Sequence, residues 1–460
     1  MPRIDERLQQ TLARVDVAGE CSLAVLGETL PGSLIEETLQ AEGVVPQRMR
    51  KLPPDLVAWL VVAMGLYRSL SITNVLRRVV DGLTGFVRFG VAELPCATSI
   101  SHARDRLGWK AVRALFQRHV EPMLLEHQRA TTWRGLQLYT LDGMCARMPD
   151  TKANDAGFGR PGASRGGKSG FPQFRSLLLV AAWTHLIATA VVGPYTTGEL
   201  TLAAELLPLI PTGALLLMDR GYYSFAWLAS LTAKAQPFVV RAKTKGRTLR
   251  MKKGRVLGRG DRLARLLAPE SLAKKRPDLP STIDVRLVNA TRKGFRARLL
   301  VTNLLDPACY PAAEVAALYD DRWEAELTNR ELKVYQSGKG LMVRSHTPDR
   351  VRQEFFGHLI AYNAVRSLMA VAAEEAGVAP RELSFTDCLE RIRGALPTIA
   401  LVSGGDRDSL LAALVTELGQ CLLQPRRVGR RCPRAIKIKM SKWPRKRPGT
   451  KVVARSRSTR

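Results

Sequence analysis

The chain has 460 residues, 46% of them hydrophobic and 24% charged, a globular balance that excludes wholesale disorder and allows two or three domains. Its 71 Lys+Arg against 41 Asp+Glu leave a net charge of +30, which calls for a polyanionic partner, nucleic acid first. Seven scattered cysteines with no C-x-x-C pair exclude a zinc ribbon, argue against a disulfide framework and predict a reducing, cytoplasmic setting.

Residues 1–130 read as helical. The mixed-charge N-terminus predicts no secretory signal. Pro53-Pro54 opens a helix whose Leu56, Val57, Leu60, Val61 and Met64 keep to one face. Further helices are expected at Ile72–Val80 and Trp109–His127. Thr98 or Ser99 can cap another, bearing Arg104 and Arg106, which reads either as a major-groove element or as an amphipathic surface helix.

Short strands follow from about Gly135, at Leu136–Cys145, Arg175–Val192, Gly213–Asp219 and Phe238–Arg241, with a helix near Ser224–Lys234. Strand and helix in this order predict an α/β core over residues 131–241. The run Leu177 to Gly193 is 17 residues long, holds Thr184 and His185, and reads as two buried strands rather than a membrane span. Gly162–Ser169 fits the phosphate-loop expression G-x-x-x-x-G-K-[ST]. It lacks the preceding strand, and Gly170 and Pro172 oppose the following helix, so it reads as a flexible basic loop.

Residues 242–303 are basic and turn-rich, with strand-like pieces at Ile283–Asn289 and Arg296–Asn303; they predict a small β insertion. Helices resume at Ala312–Gln336 and Asp349–Glu375, in a segment 304–375. A helical region 376–424 follows. The tail 425–460 holds fifteen Lys/Arg and no Asp/Glu, and reads as a phosphate-binding arm.

Three acids stand out. Asp142 shares a strand face with Leu136, Leu138 and Thr140. Asp219 ends the apolar run Ala214–Met218, where open α/β sheets place ligands; each Asp taken singly also reads as an ordinary strand-end turn residue. Within Ala312–Gln336, a uniform turn of about 100° per residue puts Tyr319, Arg322, Trp323, Glu326, Arg330 and Lys333 on one face. Leu318, Ala325 and Leu332 gather on another. From periodicity alone this charged face reads equally as a solvated one with an Arg322–Glu326 pair.

The spacing Y-(2)-R-(3)-E-(6)-K of Tyr319, Arg322, Glu326 and Lys333 resembles the signature of insertion-sequence transposases of the type-four insertion-element family, in the DDE superfamily. The segments L-D-G-M around Asp142, M-D-R-G-Y-Y-S around Asp219, G-F-P-Q-F-R at 170–175, the N-terminal R-K-L-P-P-D-L-V-A-W-L and the P-R-A-I-K-I-K tail resemble that family too. The resemblance implies an α/β fold with an RNase H-like catalytic core in two parts, 131–241 and 304–375. The β insertion 242–303 lies between them, after a helical N-terminal DNA-binding domain 1–130 and before the helical C-terminal region 376–424. It implies cut-and-paste transposition at terminal inverted repeats, a homodimer bridging two DNA ends, and no membrane. A nucleoid-associated location follows. A nuclease without strand transfer and an inactive DNA-binding regulator stand as alternatives.

The chemistry explains the acids. A phosphodiester repels an incoming oxyanion, and two divalent ions relieve that repulsion while hard cations demand oxygen ligands. Mg²⁺ or Mn²⁺ held by Asp142, Asp219 and Glu326 is expected, Asp142 bridging. Tyr319, Arg322 and Lys333 are expected on phosphates, with Trp323 and Arg330 beside them. The resemblance also implies a flipped base stacked on an aromatic residue of the insertion, where Phe295 is the only aromatic.

Overall fold

A run of strands that alternate or are apolar throughout must pair to satisfy its backbone, and here nearly all of it joins one sheet. In the computed structural model, residues 30–45, 52–80, 95–126, 132–162, 170–244, 248–291, 297–336, 341–399, 402 and 405–424 are described. Phe295, the loop 163–169 and the tail from 425 lie outside them.

The chain opens with helices α1 (Gly32–Ala41), α2 (Pro54–Leu66), α3 (Ile72–Val80), α4 (Ala97–Leu107) and α5 (Trp109–Glu126). Strands β1 (Thr132–Trp133) and β2 (Leu136–Arg147) follow, then α6 (Lys152–Phe158), β3 (Gln173–Ala181), β4 (Ile187–Pro194), α7 (Glu199–Leu206), β5 (Ala214–Met218), α8 (Phe225–Ala233) and β6 (Phe238–Arg241). The sheet order begins β4-β3-β2-β5-β6. β2, β3 and β4 are antiparallel neighbours, while β5 runs parallel to β2 and β6 parallel to β5. That mixed order is the RNase H-like arrangement. The 17-residue apolar run is indeed two strands, turned at Thr184 and at His185, whose φ of 63° is left-handed.

The insertion is not a separate β unit. β7 (Met251–Gly258), β8 (Asp261–Leu267), α9 (Glu270–Lys275), β9 (Thr282–Ala290) and β10 (Arg298–Thr302) prolong the core sheet, because β10 pairs antiparallel with β6. Arg286, wholly buried in β9, holds Asp261 at 2.7 Å and donates to the Tyr310 carbonyl at 2.6 Å.

The expected helix Ala312–Gln336 is four pieces. They are α10 (Ala312–Leu318), a 3₁₀ segment Tyr319–Trp323, α11 (Glu324–Arg330) and a π segment Glu331–Gln336. The long helix α12 (Pro348–Glu375) then runs through the core, followed by α13 (Phe385–Ile399) and α14 (Gly405–Gly419). One apolar core joins α2, α3 and α12–α14 to Met144, Phe174 and Ala190 of the sheet. α2 crosses α12 backbone to backbone: a Cβ on Gly357 would meet the Val61 carbonyl oxygen at 2.6 Å, which only glycine avoids. No helix among the described residues is long and apolar enough to cross a membrane.

Candidate active site

The parallel ladder between β2 and β5 ends at Thr140–Leu217. Two residues further along each chain stand Asp142 and Asp219. Asp219 is still extended (φ −76°, ψ 174°), so by the strand alternation both side chains leave the same sheet face, from backbones one strand spacing of ~4.8 Å apart. Beneath them on that face, Leu138, Leu215 and Leu217 pack against Val315, Leu318 and Tyr319. The sheet therefore carries the acids, and the broken helix lies over them.

Two contacts fix that helix on the strands. The Tyr319 hydroxyl donates to the Met218 carbonyl at 3.0 Å, next to Asp219. The Asn329 amide donates to Asp142 Oδ2. Glu326 lies between these two points, one turn before Asn329. Its Oε1 accepts from Arg322 Nη2 at 3.1 Å, and its side chain is 41% exposed. Lys333 is near enough to Asp142 to draw its pKa down.

Asp142 has its pKa raised nonetheless, because burial outweighs Asn329, Lys333 and the Gly143 amide, which donates to Oδ1 at 3.0 Å. Asp219 Oδ1 accepts from the Gly221 amide at 2.6 Å, closing a tight turn. A fourth acid stands close by. Glu199, at the start of α7, lies against Gly143, where a Cβ would meet its Oε1 at 2.6 Å. The Tyr222 hydroxyl, buried without a hydrogen-bond partner among the described residues, has its pKa pushed well up, by burial first and then by Glu199, Asp142 and Asp219.

The donor chemistry fits divalent cations. The carboxylates are hard oxygen ligands, and the three acids Glu199, Asp142 and Asp219 all act on Tyr222, which places their charges close together. The three carboxylates are near one another through their elements, yet their side chains are not gathered: no group of three His, Cys, Asp or Glu among the described residues is set to hold a metal ion. Both Asp142 oxygens are instead taken by Asn329 and Gly143, Asp219 Oδ1 by Gly221 and Glu326 Oε1 by Arg322.

Two expected DNA contacts are placed inside. Arg104 is 2% exposed, with Nε on Gln353 Oε1 at 2.8 Å and Nη2 on Ser345 Oγ at 2.9 Å. It faces α12 instead of a groove, while Arg106 is exposed. Tyr319 is also 2% exposed and spends its hydroxyl on Met218, so in this conformation it anchors the helix and does not reach a phosphate. Arg322 and Lys333 are half-buried, and Trp323 and Arg330 exposed. Sequence reading missed Asn329 and Glu199. Helical spacing alone puts Asn329 beside Glu326, and the glycine after Asp142 was the one sign of Glu199.

Comparison with known proteins follows the same lines. The family described as Insertion element 4 transposase N-terminal matches residues 20–117, and Transposase DDE domain matches residues 133–364. Transposase InsG for insertion sequence element IS4 of Escherichia coli (strain K12) is 33% identical over 429 residues, 92% of this chain and 93% of its own. Putative transposase InsZ of the same strain is 30% identical over 216 residues, 46% of this chain and 69% of its own. A solved piggyBac transposase synaptic complex with hairpin DNA aligns over 90% of this chain and 88% of its own, at 9% identity and a TM-score of 0.39. That likeness is too slight to carry the fold assignment, which rests on the strand order.

Proposed function

Because the chain belongs to the insertion element 4 family of DDE transposases, we propose that its chemistry on DNA is carried by Asp142, Asp219 and Glu326. It is a DNA transposase, an enzyme of DNA cleavage and strand transfer with a divalent-metal requirement. The observation that supports the assignment is the register. Asp142 and Asp219 leave one face of adjacent parallel strands, and Glu326 rides a segment tied to both strands by Tyr319 and Asn329.

In this reading the acids bind two Mg²⁺ or Mn²⁺ ions. Such ions would supply activation of the attacking water or 3′-hydroxyl and charge neutralisation at the leaving oxygen. The protein's part is to hold the carboxylates and the DNA. Asn329 and the Gly143 amide orient Asp142 through its two oxygens. Glu326 joins them by exchanging Arg322 for the site, a rotation of an exposed side chain. Arg322, so released, and Lys333 then take phosphate oxygens near the scissile bond, with Trp323 and Arg330 along the same duplex. Residues 1–130, through exposed groups such as Arg106, recognise the inverted repeats. The 242–303 strands flank the end. Residues 376–424 and the tail 425–460 add the C-terminal region and a nonspecific arm. A homodimer pairs the two ends, acting in the bacterial cytoplasm at the nucleoid.

Glu326→Gln removes one ligand charge and keeps the side chain's shape. Cleavage of a transposon-end duplex and strand transfer from a pre-cut end should both vanish, while end binding without divalent metal stays within about threefold. Cleavage at the wild-type rate would remove Glu326 from the site. Loss of cleavage with strand transfer absent from the wild type as well would leave a plain nuclease.

A further inference from the structure

The segment bearing Glu326 is held from behind by a buried polar chain that neither the acids nor the DNA contacts require. His185, in the turn between β3 and β4, lies beside Glu324 with Nε2 2.8 Å from Glu324 Oε2. Its Nδ1 is 2.6 Å from Arg366 Nη2 on α12. Arg366 also grips both oxygens of Glu331, with Nε on Oε2 at 3.2 Å and Nη2 on Oε1, and the Tyr362 hydroxyl donates to Oε2 at 2.6 Å. The His185 side chain is 3% exposed and that of Arg366 1%.

The protonation pattern follows from the arginine. A guanidinium only donates, so Nδ1 must accept, and the imidazole hydrogen sits on Nε2 and donates to Glu324. Glu331 is held ionised: burial pushes its pKa up, but the charges beside it, Arg366 first, outweigh burial and bring it down to about 2. The chain of contacts thus runs Glu324, His185, Arg366, Glu331 and closes on the element it started from. Its two ends bracket Glu326 and Asn329.

We propose that His185 and Arg366 form a clamp that sets the axial position and rotation of α11, and so are positioning residues for the cleavage reaction. A buried ion pair is a poor source of stability, since apolar residues would fill the same space as well. What it supplies is registry. Glu331 cannot slide or rotate off Arg366 without leaving a buried charge unpaired. It stands where α11 passes into the π segment, and π turns let a helix change phase. His185 holds the other end from a backbone turn that a positive φ makes specific. The proposal rests on Glu326 acting in the site, and on nothing else in that reading.

The test is single-turnover cleavage of an end duplex beside end-binding affinity measured without divalent metal. His185→Leu removes both contacts. Glu324→Ala cuts the outer arm, leaves no buried charge, and serves if His185→Leu does not fold. His185→Gln keeps a donor toward Glu324. Both of the first two should slow cleavage at least tenfold with affinity within twofold of wild type, and His185→Gln should recover most of the rate. A wild-type rate in Glu324→Ala would overturn the clamp, as would rate and affinity falling together with no recovery by glutamine. Glu326→Gln run in parallel separates the two ideas: if it cleaves normally the site reading fails, whatever the clamp variants do.

Discussion

Tyr319→Phe tests which of two jobs the first signature residue performs. The ring is 2% exposed, and phenylalanine fills the same space, so the change deletes one hydroxyl. That hydroxyl donates to the Met218 carbonyl at 3.0 Å, one residue before Asp219. A buried hydrogen bond contributes about 0.5–1.5 kcal/mol net, and a stranded acceptor adds to the loss, so destabilisation of roughly 1–2 kcal/mol is expected. The denaturant midpoint of the purified protein measures it. Were the hydroxyl a phosphate ligand instead, the loss would be of a charge-assisted bond, about 1.5–3 kcal/mol, and it would appear as a tenfold or greater loss of end affinity. A midpoint unchanged together with such a loss would refute the anchoring role. The pH profile gives a second reading. Burial pushes the Tyr319 pKa up to about 12, against an unfolded value near 10, so its neutral form is favoured in the fold. Stability from this group is full below pH 10 and declines as pH rises toward 12, and Tyr319→Phe should flatten that decline.

Lys333→Ala should weaken end binding and make its salt dependence shallower by about one unit of slope, checked by titrations at several salt concentrations; an unaltered slope would remove the phosphate contact. Gly357→Val should cost about 2 kcal/mol or more in chemical denaturation, because its Cβ would lie 2.5 Å from Val61 Cγ1 and 2.6 Å from the Val61 carbonyl; a neutral result would mean α2 does not sit there. Acid should destabilise the protein in two stages. Burial holds His358 neutral with a pKa lowered to about 3, so its contribution is full above pH 6.5 and falls as pH drops below that value. Glu354, which burial pushes up but Arg68, Arg344 and Arg104 bring down to about 2, loses its contribution from about pH 4.5 downward. His358→Gln should abolish the upper stage in a pH series of thermal midpoints and leave the lower one.

The sheet was legible because its strands carry apolar runs bounded by turns, and Asp142 and Asp219 were legible because each ends or breaks such a run. β7 and β8 were not. Their exposed Lys252, Lys253 and Arg255 and their glycines hide a hairpin in which β7 pairs with β8 and β8 joins the sheet through β9. Arg104 looked like a surface cation because a buried arginine needs partners far away in sequence, here Gln353 and Ser345. His185 falls within an apolar run and is buried in its turn; its contacts with Glu324 and Arg366 are invisible without the fold.

The broken helix explains why the signature residues divide their labour. With a uniform α turn, Tyr319 and Glu326 share a face. A 3₁₀ stretch turns about 120° per residue, so the four steps from Tyr319 to Trp323 add roughly 80°. Glu326 then lies about 60° round the axis from Tyr319 instead of about 20°, so Tyr319 can point into the core while Glu326 stays half-buried at its edge. The irregular stretches carry further anchors besides Asn329 and Glu324 of α11. Asp320 meets Arg298 at 2.6 Å and Asp321 meets Trp183 at 3.1 Å in the 3₁₀ segment; Glu331 meets Arg366 at the start of the π segment. The regular turn between them carries Glu326 and Asn329. A short α-helical stretch fixed at both ends by buried contacts keeps Glu326 and Asn329 in a set register, which is what the proposed site asks of it.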